Sequence, residues 1–322
     1  MKRFLLILII VSFVLSLVSV ACTAEEKYPN KPVTFIVTSG AGGMTDASSR
    51  ILADTLKRVI GQPIAVVNKP GGGGLVGLNT FIANKIDPYT VCVTVTCHLN
   101  AAPFLSAEKL DLDKLSFVGS YMPQERILFA QMDAPYENWE EFVAYVKENP
   151  GKVSAGSGNN QWALEVIKSI AVKEGLDMNF IRFKSGAEGS NAIIGGHVDV
   201  CETGVGTPAY QAARAGKLRI ILNLGSGSVP NFPDVPNVFD KGYPFASRIE
   251  YGIVMQAGVP ESVRQFWENA LRVAMEDYGV IEKFLKLGLI PRYLPGKQWK
   301  EVAINDCESV YSLLDYNKEL NK

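Results

Sequence analysis

Phe35-Ile36-Val37-Thr38-Ser39-Gly40-Ala41-Gly42-Gly43-Met44-Thr45-Asp46 is a β-branched, apolar run that stops at a glycine-rich turn. A helical pattern opens near Thr45 or Asp46 and runs to about Ile60, where Gly61 ends it; Ile51, Leu52, Leu56, Val59 and Ile60 supply its apolar face. A strand, a flexible turn and a helix start in this order aim free backbone N–H groups and the positive end of a helix dipole at one spot. Such a spot favours an anion by ~0.3–1 kcal/mol from the dipole alone, and by up to about 2 kcal/mol when partly buried. The glycines let a ligand approach the main chain without β-carbons in the way. The loop is therefore expected to hold a carboxylate.

Two nucleotide readings compete with that expectation. The dinucleotide fingerprint needs a third glycine and an acidic residue about 20 positions on. Here Thr45 takes the glycine's place, and the next apolar strand ends in Asn68. The later run Gly71-Gly72-Gly73-Gly74-Leu75-Val76-Gly77 lacks the Gly-Lys-Ser/Thr of a phosphate loop. A turn that merely closes a βα unit is the plain alternative.

Outward from this stretch, a second strand is expected at 63–67, a helix at about 75–85 with Leu75, Leu78, Phe81 and Ile82 on one face, and a strand at 89–96 apolar on both faces. The β-α-β-α-β series predicts a doubly wound sheet, with ligands beyond the carboxyl ends of its strands. That rim would comprise 39–46, 68–77 and 96–100. His98 on it is a candidate ligand donor, the alternative being a structurally bonded imidazole.

The stretch Val153-Ser154-Ala155-Gly156-Ser157-Gly158-Asn159-Asn160-Gln161-Trp162 repeats the strand–turn–helix layout and predicts a second anion-friendly helix start. The whole pattern is two α/β units, the second inserted into the first: domain 1 at 28–125 and 248–322, domain 2 at 126–247. Crossing segments near 117–129 and 248–255 would form the hinge. The last helix, at 298–314, carries Trp299, Ala303, Cys307, Val310 and Leu314 on one face.

With 32 Lys+Arg against 33 Asp+Glu, the 322-residue chain has no broad basic field for nucleic acid. Two histidines and no clustered Cys/His spacing argue against a metal site. Lys2-Arg3 followed by an apolar run to Val20 reads as a signal peptide at 1–21, with a polar tether at 22–27. Cys22 after Ala21 resembles a lipoprotein processing site; ordinary cleavage and a retained anchor are the alternatives. Each puts the folded part outside the cytoplasm. Cys92 and Cys97 are separated by about 16 Å of extended chain, too far for a direct bond. Cys92, Cys97, Cys201 and Cys307 are expected to be buried free thiols, although export permits disulfides.

Several segments, in order, resemble the substrate-binding proteins of tripartite tricarboxylate transporters, the TctC/Bug type. They are Lys31-Pro32-Val33, Gly42-Gly43-Met44-Thr45-Asp46, Gly61-Gln62-Pro63, Val67-Asn68-Lys69-Pro70-Gly71, Ser154-Ala155-Gly156-Ser157-Gly158, Gly195-Gly196-His197-Val198-Asp199 and Ala215-Gly216-Lys217-Leu218-Arg219. The resemblance implies an α/β, two-lobed, periplasmic-binding-protein-like clamp, each lobe a doubly wound sheet flanked by helices. It also implies a ligand carboxylate held by Ser39, Gly42, Gly43, Met44, Thr45 and Asp46 on one side. Ser157, Gly158, Asn159 and Asn160, with Lys184 nearby, would face them. Asp46 could instead cap its own helix.

The chain departs from the family pattern at three places. The first loop begins Thr38-Ser39-Gly40, the rim reads Thr96-Cys97-His98-Leu99-Asn100 with its histidine displaced by one, and Glu202-Thr203-Gly204 stands where the family usually has Phe-Asp-Asn. Thr96, His98, Asn100, Glu202 and Thr203 complete the expected ligand set, the last two near the ligand's distal group.

The implied function is extracytoplasmic capture of a small carboxylate for membrane transporter subunits, by a monomer without a cofactor. The alternatives are a sensory protein with the same clamp and a secreted hydrolase. The latter lacks the nucleophile elbow, because Ala155 precedes Gly156-Ser157-Gly158.

Overall fold

In β1 (Val33–Val37) every second side chain faces the same way, and both faces are covered. Val33, Phe35 and Val37 enter one core with Leu52, Leu56, Trp267 and Leu271, while Ile36 enters another with Leu78, Phe81 and Trp299. The computed structural model containing this strand describes residues 28–100, 109–158 and 160–320. The leader, the tether with Cys22, and Asn159 lie outside the described residues.

β1 pairs in parallel with β2 (Ile64–Asn68) and β3 (Thr90–Val95), and α1 (Met44–Ile60) and α2 (Leu75–Ala83) lie between them in the chain. α1 ends as the sequence predicts, with Gly61 left-handed at φ 72°. α1 packs with α8 (Glu261–Glu276) over the sheet, and the Phe35 and Trp267 rings stand 5.8 Å apart. Burying each such large apolar side chain stabilises the fold by ~1.5–3 kcal/mol.

β3 is followed by the short α3 (Thr96–Leu99) and pairs antiparallel with β9 (Arg248–Gln256). β9 in turn pairs with β4 (Leu115–Gln131), the crossing segment predicted from the sequence. β4 changes partners midway: Glu125 opposes Arg248 of β9, and the next residue, Arg126, opposes Gly204 of β7 (Val200–Gly204). Its second half carries β7 on one side and β8 (Leu218–Asn223) on the other. β5 (Val153–Ser157) and β6 (Met178–Arg182) extend the second lobe in parallel from β7. The second core contains Phe142 and Val146 of α4 (Trp139–Glu148), Val166 and Ile170 of α5 (Gln161–Glu174), and Leu222.

The fold is thus the two-lobed α/β clamp. Helices α6 (Gly186–Ile194), α7 (Pro208–Arg214) and α9 (Tyr278–Lys286) complete the layers, and β10 (Leu294–Pro295) pairs with β4 at Gly119 and Ser120.

One element departs from the sequence reading. The last helix, α10 (Gly296–Leu320), does not stay with the first lobe. Trp299 and Ala303 pack in the first lobe, whereas Val310 and Leu313 enter the second lobe's core. At 1.5 Å per residue its 25 residues span about 37 Å, enough to strap both lobes. Leu313 rather than Leu314 is fully buried, and Cys307 is only partly so.

Candidate functional site

A partly open cleft lies between the lobes, at the carboxyl ends of β1 and β3. On the first lobe it is walled by Ser39, Gly40, Gly43, Met44 and Thr45. Gly43 is the N-cap of α1 and has no side chain with which to cap it, so the first amides of that helix remain for a ligand.

The loop is fastened from behind. Asp46, 5% exposed, accepts from the Gly42 amide at 3.0 Å, from Arg50 Nε at 3.1 Å and from Asn68 Nδ2 at 3.0 Å. Asn68 Nδ2 also donates to the Ser39 carbonyl at 3.0 Å. Burial opposes charge on Asp46, but the bonds from Arg50, Gly42 and Asn68 outweigh it and hold the carboxyl below its ordinary pKa. Gly42 and Asp46 are not among the residues lining the cleft. They brace the loop at the left-handed Gly42 (φ 79°), and a carboxylate there would repel a carboxylate ligand.

The floor comes from β3, α3, β4 and β9, which contribute Val95, Cys97, His98, Arg126, Ile249 and Tyr251. His98 is 3% exposed, and its Nδ1 lies 2.8 Å from Thr38 Oγ1. Burial lowers its pKa to about 4, so the ring is neutral at neutral pH.

The second lobe supplies Asn160, Lys184, Ser185, Gly186 and Thr207. The sequence pointed to the start of α5 as the second anion site. There Asn160 Oδ1 already accepts from the Ala163 amide at 3.3 Å. The start of α6 reaches the cleft as well. Ser185 Oγ accepts from the Glu188 amide at 3.1 Å, and Glu188 accepts from the Lys184 amide at 2.7 Å. This reciprocal cap presents Gly186 to the cleft.

Of the sequence-expected residues, Ser39, Gly43, Met44, Thr45, His98, Asn160 and Lys184 line the cleft together. Five others do work behind its wall. Thr96 Oγ1 accepts from the Glu250 amide at 3.1 Å. The Asn100 amide closes α3 on the Thr96 carbonyl at 3.1 Å. Ser157 Oγ donates to Glu202 at 2.7 Å, the Gly158 amide donates to the Glu202 carbonyl at 3.1 Å, and the Thr203 and Thr207 hydroxyls meet at 3.0 Å.

Glu202 does not line the cleft either. It is fully buried, and its two carboxylate oxygens are taken by Arg126 and Ser157. Ser157 and His98 thus have separate partners and form no nucleophile–base pair.

Arg126 is the residue sequence reasoning missed. A lone cation inside the apolar strand around Arg126-Ile127-Leu128-Phe129 was the available signal, since arginine is rarely buried without a partner. Burial works against its charge, but the adjacent Glu202 carboxylate more than compensates and raises its pKa.

Comparison with known proteins agrees with this architecture. The model of the tripartite tricarboxylate transporter family receptors matches residues 48–314.

The chain belongs to that family.

Among relatives of this receptor, a UPF0065 protein of Cupriavidus necator is 28% identical over 293 residues, covering 90% of this chain and 88% of its own. A solved periplasmic transporter aligns with TM-score 0.81 at 24% identity, covering 91% of this chain and 98% of its own. Two Rhodopseudomonas palustris proteins share the fold. Rpa4515, solved with adipate, has TM-score 0.80 at 15% identity, covering 90% of this chain and 98% of its own. MatC, solved with malate, has TM-score 0.75 at 22% identity, covering 92% and 100%. Among the described residues no helix is long and apolar enough to cross a membrane, and no cluster of three or more His, Cys, Asp or Glu could hold a metal.

Proposed function

We propose that this receptor captures a small carboxylate between its lobes, outside the cytoplasm, and delivers it to the membrane subunits of a tripartite tricarboxylate transporter. The observation that carries the reading is the cleft itself. The uncapped start of α1 and the start of α6 enter one space from opposite lobes, with Arg126 and Lys184 beside them. Closure about β4 would strip water from an acid held there and strengthen its hydrogen bonds. Structural neighbours solved with malate and with adipate fit the same chemistry. Export through the 1–21 segment, with or without lipid attachment at Cys22, would keep the receptor in the periplasm or on the outer face of the cell membrane.

Calorimetric titration of the folded, unliganded protein with mono-, di- and tricarboxylates tests the reading. A micromolar Kd, about −8 kcal/mol, is expected for at least one acid. A folded protein that binds none of them would sink it. Deleting adjacent genes for large and small membrane subunits should abolish uptake of that acid, and unchanged uptake would favour a sensory role.

A further inference from the structure

Resting on that carboxylate reading, we propose that Arg126 is the charged anchor for the ligand's carboxylate, and that the acid-free lining around it makes the receptor select carboxylic acids that carry no amino group.

The Arg126 side chain is held in place before any ligand arrives. Its Nε donates to Glu202, and its Nη1 donates to Gln124 Oε1 at 3.2 Å. Gln124 is itself fixed, accepting from the Tyr251 hydroxyl at 2.7 Å and donating to the Val205 carbonyl at 2.6 Å. A guanidinium carries five N–H donors. Among the described residues, Nη2 donates to no protein group, and Arg126 lines the cleft. Nη2 and the second Nη1 hydrogen therefore remain as charged donors for the oxygens of a carboxylate.

Its position suits a clasp. Arg126 sits where β4 leaves β9 for β7. Its network ties Tyr251 on the first-lobe strand β9 to Glu202 and Ser157 in the second lobe. An acid seated on Arg126 lies between the two walls as they close.

The selectivity follows from what does not face the ligand. Among the described residues lining the cleft there is no Asp or Glu, whereas Arg126 and Lys184 both do line it. The nearby acids are committed elsewhere: Glu202 to Arg126 and Ser157, Asp46 to Arg50, and Glu188 to the Lys184 amide. An ammonium brought into this space would meet Lys184, the already paired Arg126 and two helix starts, with no free carboxylate among the lining residues to offset its lost hydration. A hydroxyl at the same carbon pays no such charge penalty.

The test compares acids that differ only in that group: malate with aspartate, 2-hydroxyglutarate with glutamate, and adipate with 2-aminoadipate, each titrated calorimetrically into unliganded protein. At least one amino-free acid should bind, and tighter than its amino counterpart by about tenfold or more. An amino acid that binds as tightly as its partner overturns the selectivity.

Arg126→Gln combined with Glu202→Gln removes both charges together, so no lone buried charge remains. Arg126→Lys keeps the charge but loses the fork. Each should weaken binding of the preferred acid by about tenfold or more. Binding within about threefold of the parent, by either variant with a native melting profile, overturns the anchor. If none of the six compounds binds the folded parent, the carboxylate reading itself falls, which is a separate result from either of these.

Discussion

Thr38 Oγ1 and His98 Nδ1 stand 2.8 Å apart, with Thr38 fully buried and His98 nearly so. The pair joins the end of β1 to α3 at the floor of the cleft, and the contact with Thr38 sets the orientation of the His98 ring.

That burial has a measurable pH signature. His98 titrates near 4 when folded and near 6.5 when unfolded, so its contribution to stability is complete above 6.5 and is lost as pH falls toward 4. Asp306, near Thr96, Arg248 and Glu250, runs the other way. Burial raises it from 3.8 to about 6, so its contribution is complete below 3.8 and is lost as pH rises through 6. Each effect is on the order of 3 kcal/mol, and in the parent they largely cancel. Denaturant melts from pH 4 to 7 should show Asp306→Asn losing stability on acidification and His98→Gln gaining it. Parallel profiles for the two variants would refute the assignment.

Gly74 presses against the same ring. A β-carbon at Gly74 would lie 2.2 Å from His98 Cγ, and the backbone there has φ +93°. Gly74→Ala should destabilise the protein by about 1–3 kcal/mol and displace the imidazole. A melting temperature equal to the parent's would show that the ring moves aside without cost.

Gly43 behaves differently. Its φ of −77° suits any residue, and a β-carbon there meets nothing closer than the Gly40 carbonyl at 3.5 Å. Gly43→Val should fold with a stability change within about 1 kcal/mol, yet block the start of α1 and abolish carboxylate binding. Unchanged affinity by titration would move the ligand off this helix.

Asp46 is a loop brace, so its removal should act through stability. Asp46→Ala leaves the Gly42 amide, Arg50 and Asn68 without their acceptor and should cost about 1–3 kcal/mol. Affinity for the preferred acid should fall only modestly. Complete loss of binding in a protein that melts normally would return Asp46 to the ligand shell.

Much of this was legible because it is local. The β-branched run at Phe35-Ile36-Val37, the glycine turn and the periodic face of α1 predict one another within a few residues, and so do the two strand–turn–helix units. That the start of α6 joins the start of α5 at the cleft was not legible locally, because it depends on how β5 and β6 sit in the sheet. α10 crossed to the second lobe because a long helix is free to pack wherever apolar surface remains, and periodicity does not say against what.

The sequence alone determined a strand–turn–helix scaffold, its duplication, and an anion-friendly start to the first long helix. These follow from backbone sterics and apolar spacing, which act over one turn or one strand. Only the tertiary structure decided that Glu202 lies behind the wall rather than in it, and that Arg126 lines the cleft beside it. Those two residues are 76 positions apart in the chain. Their pairing is set by the register of β4 against β7, a long-range contact that no local pattern encodes.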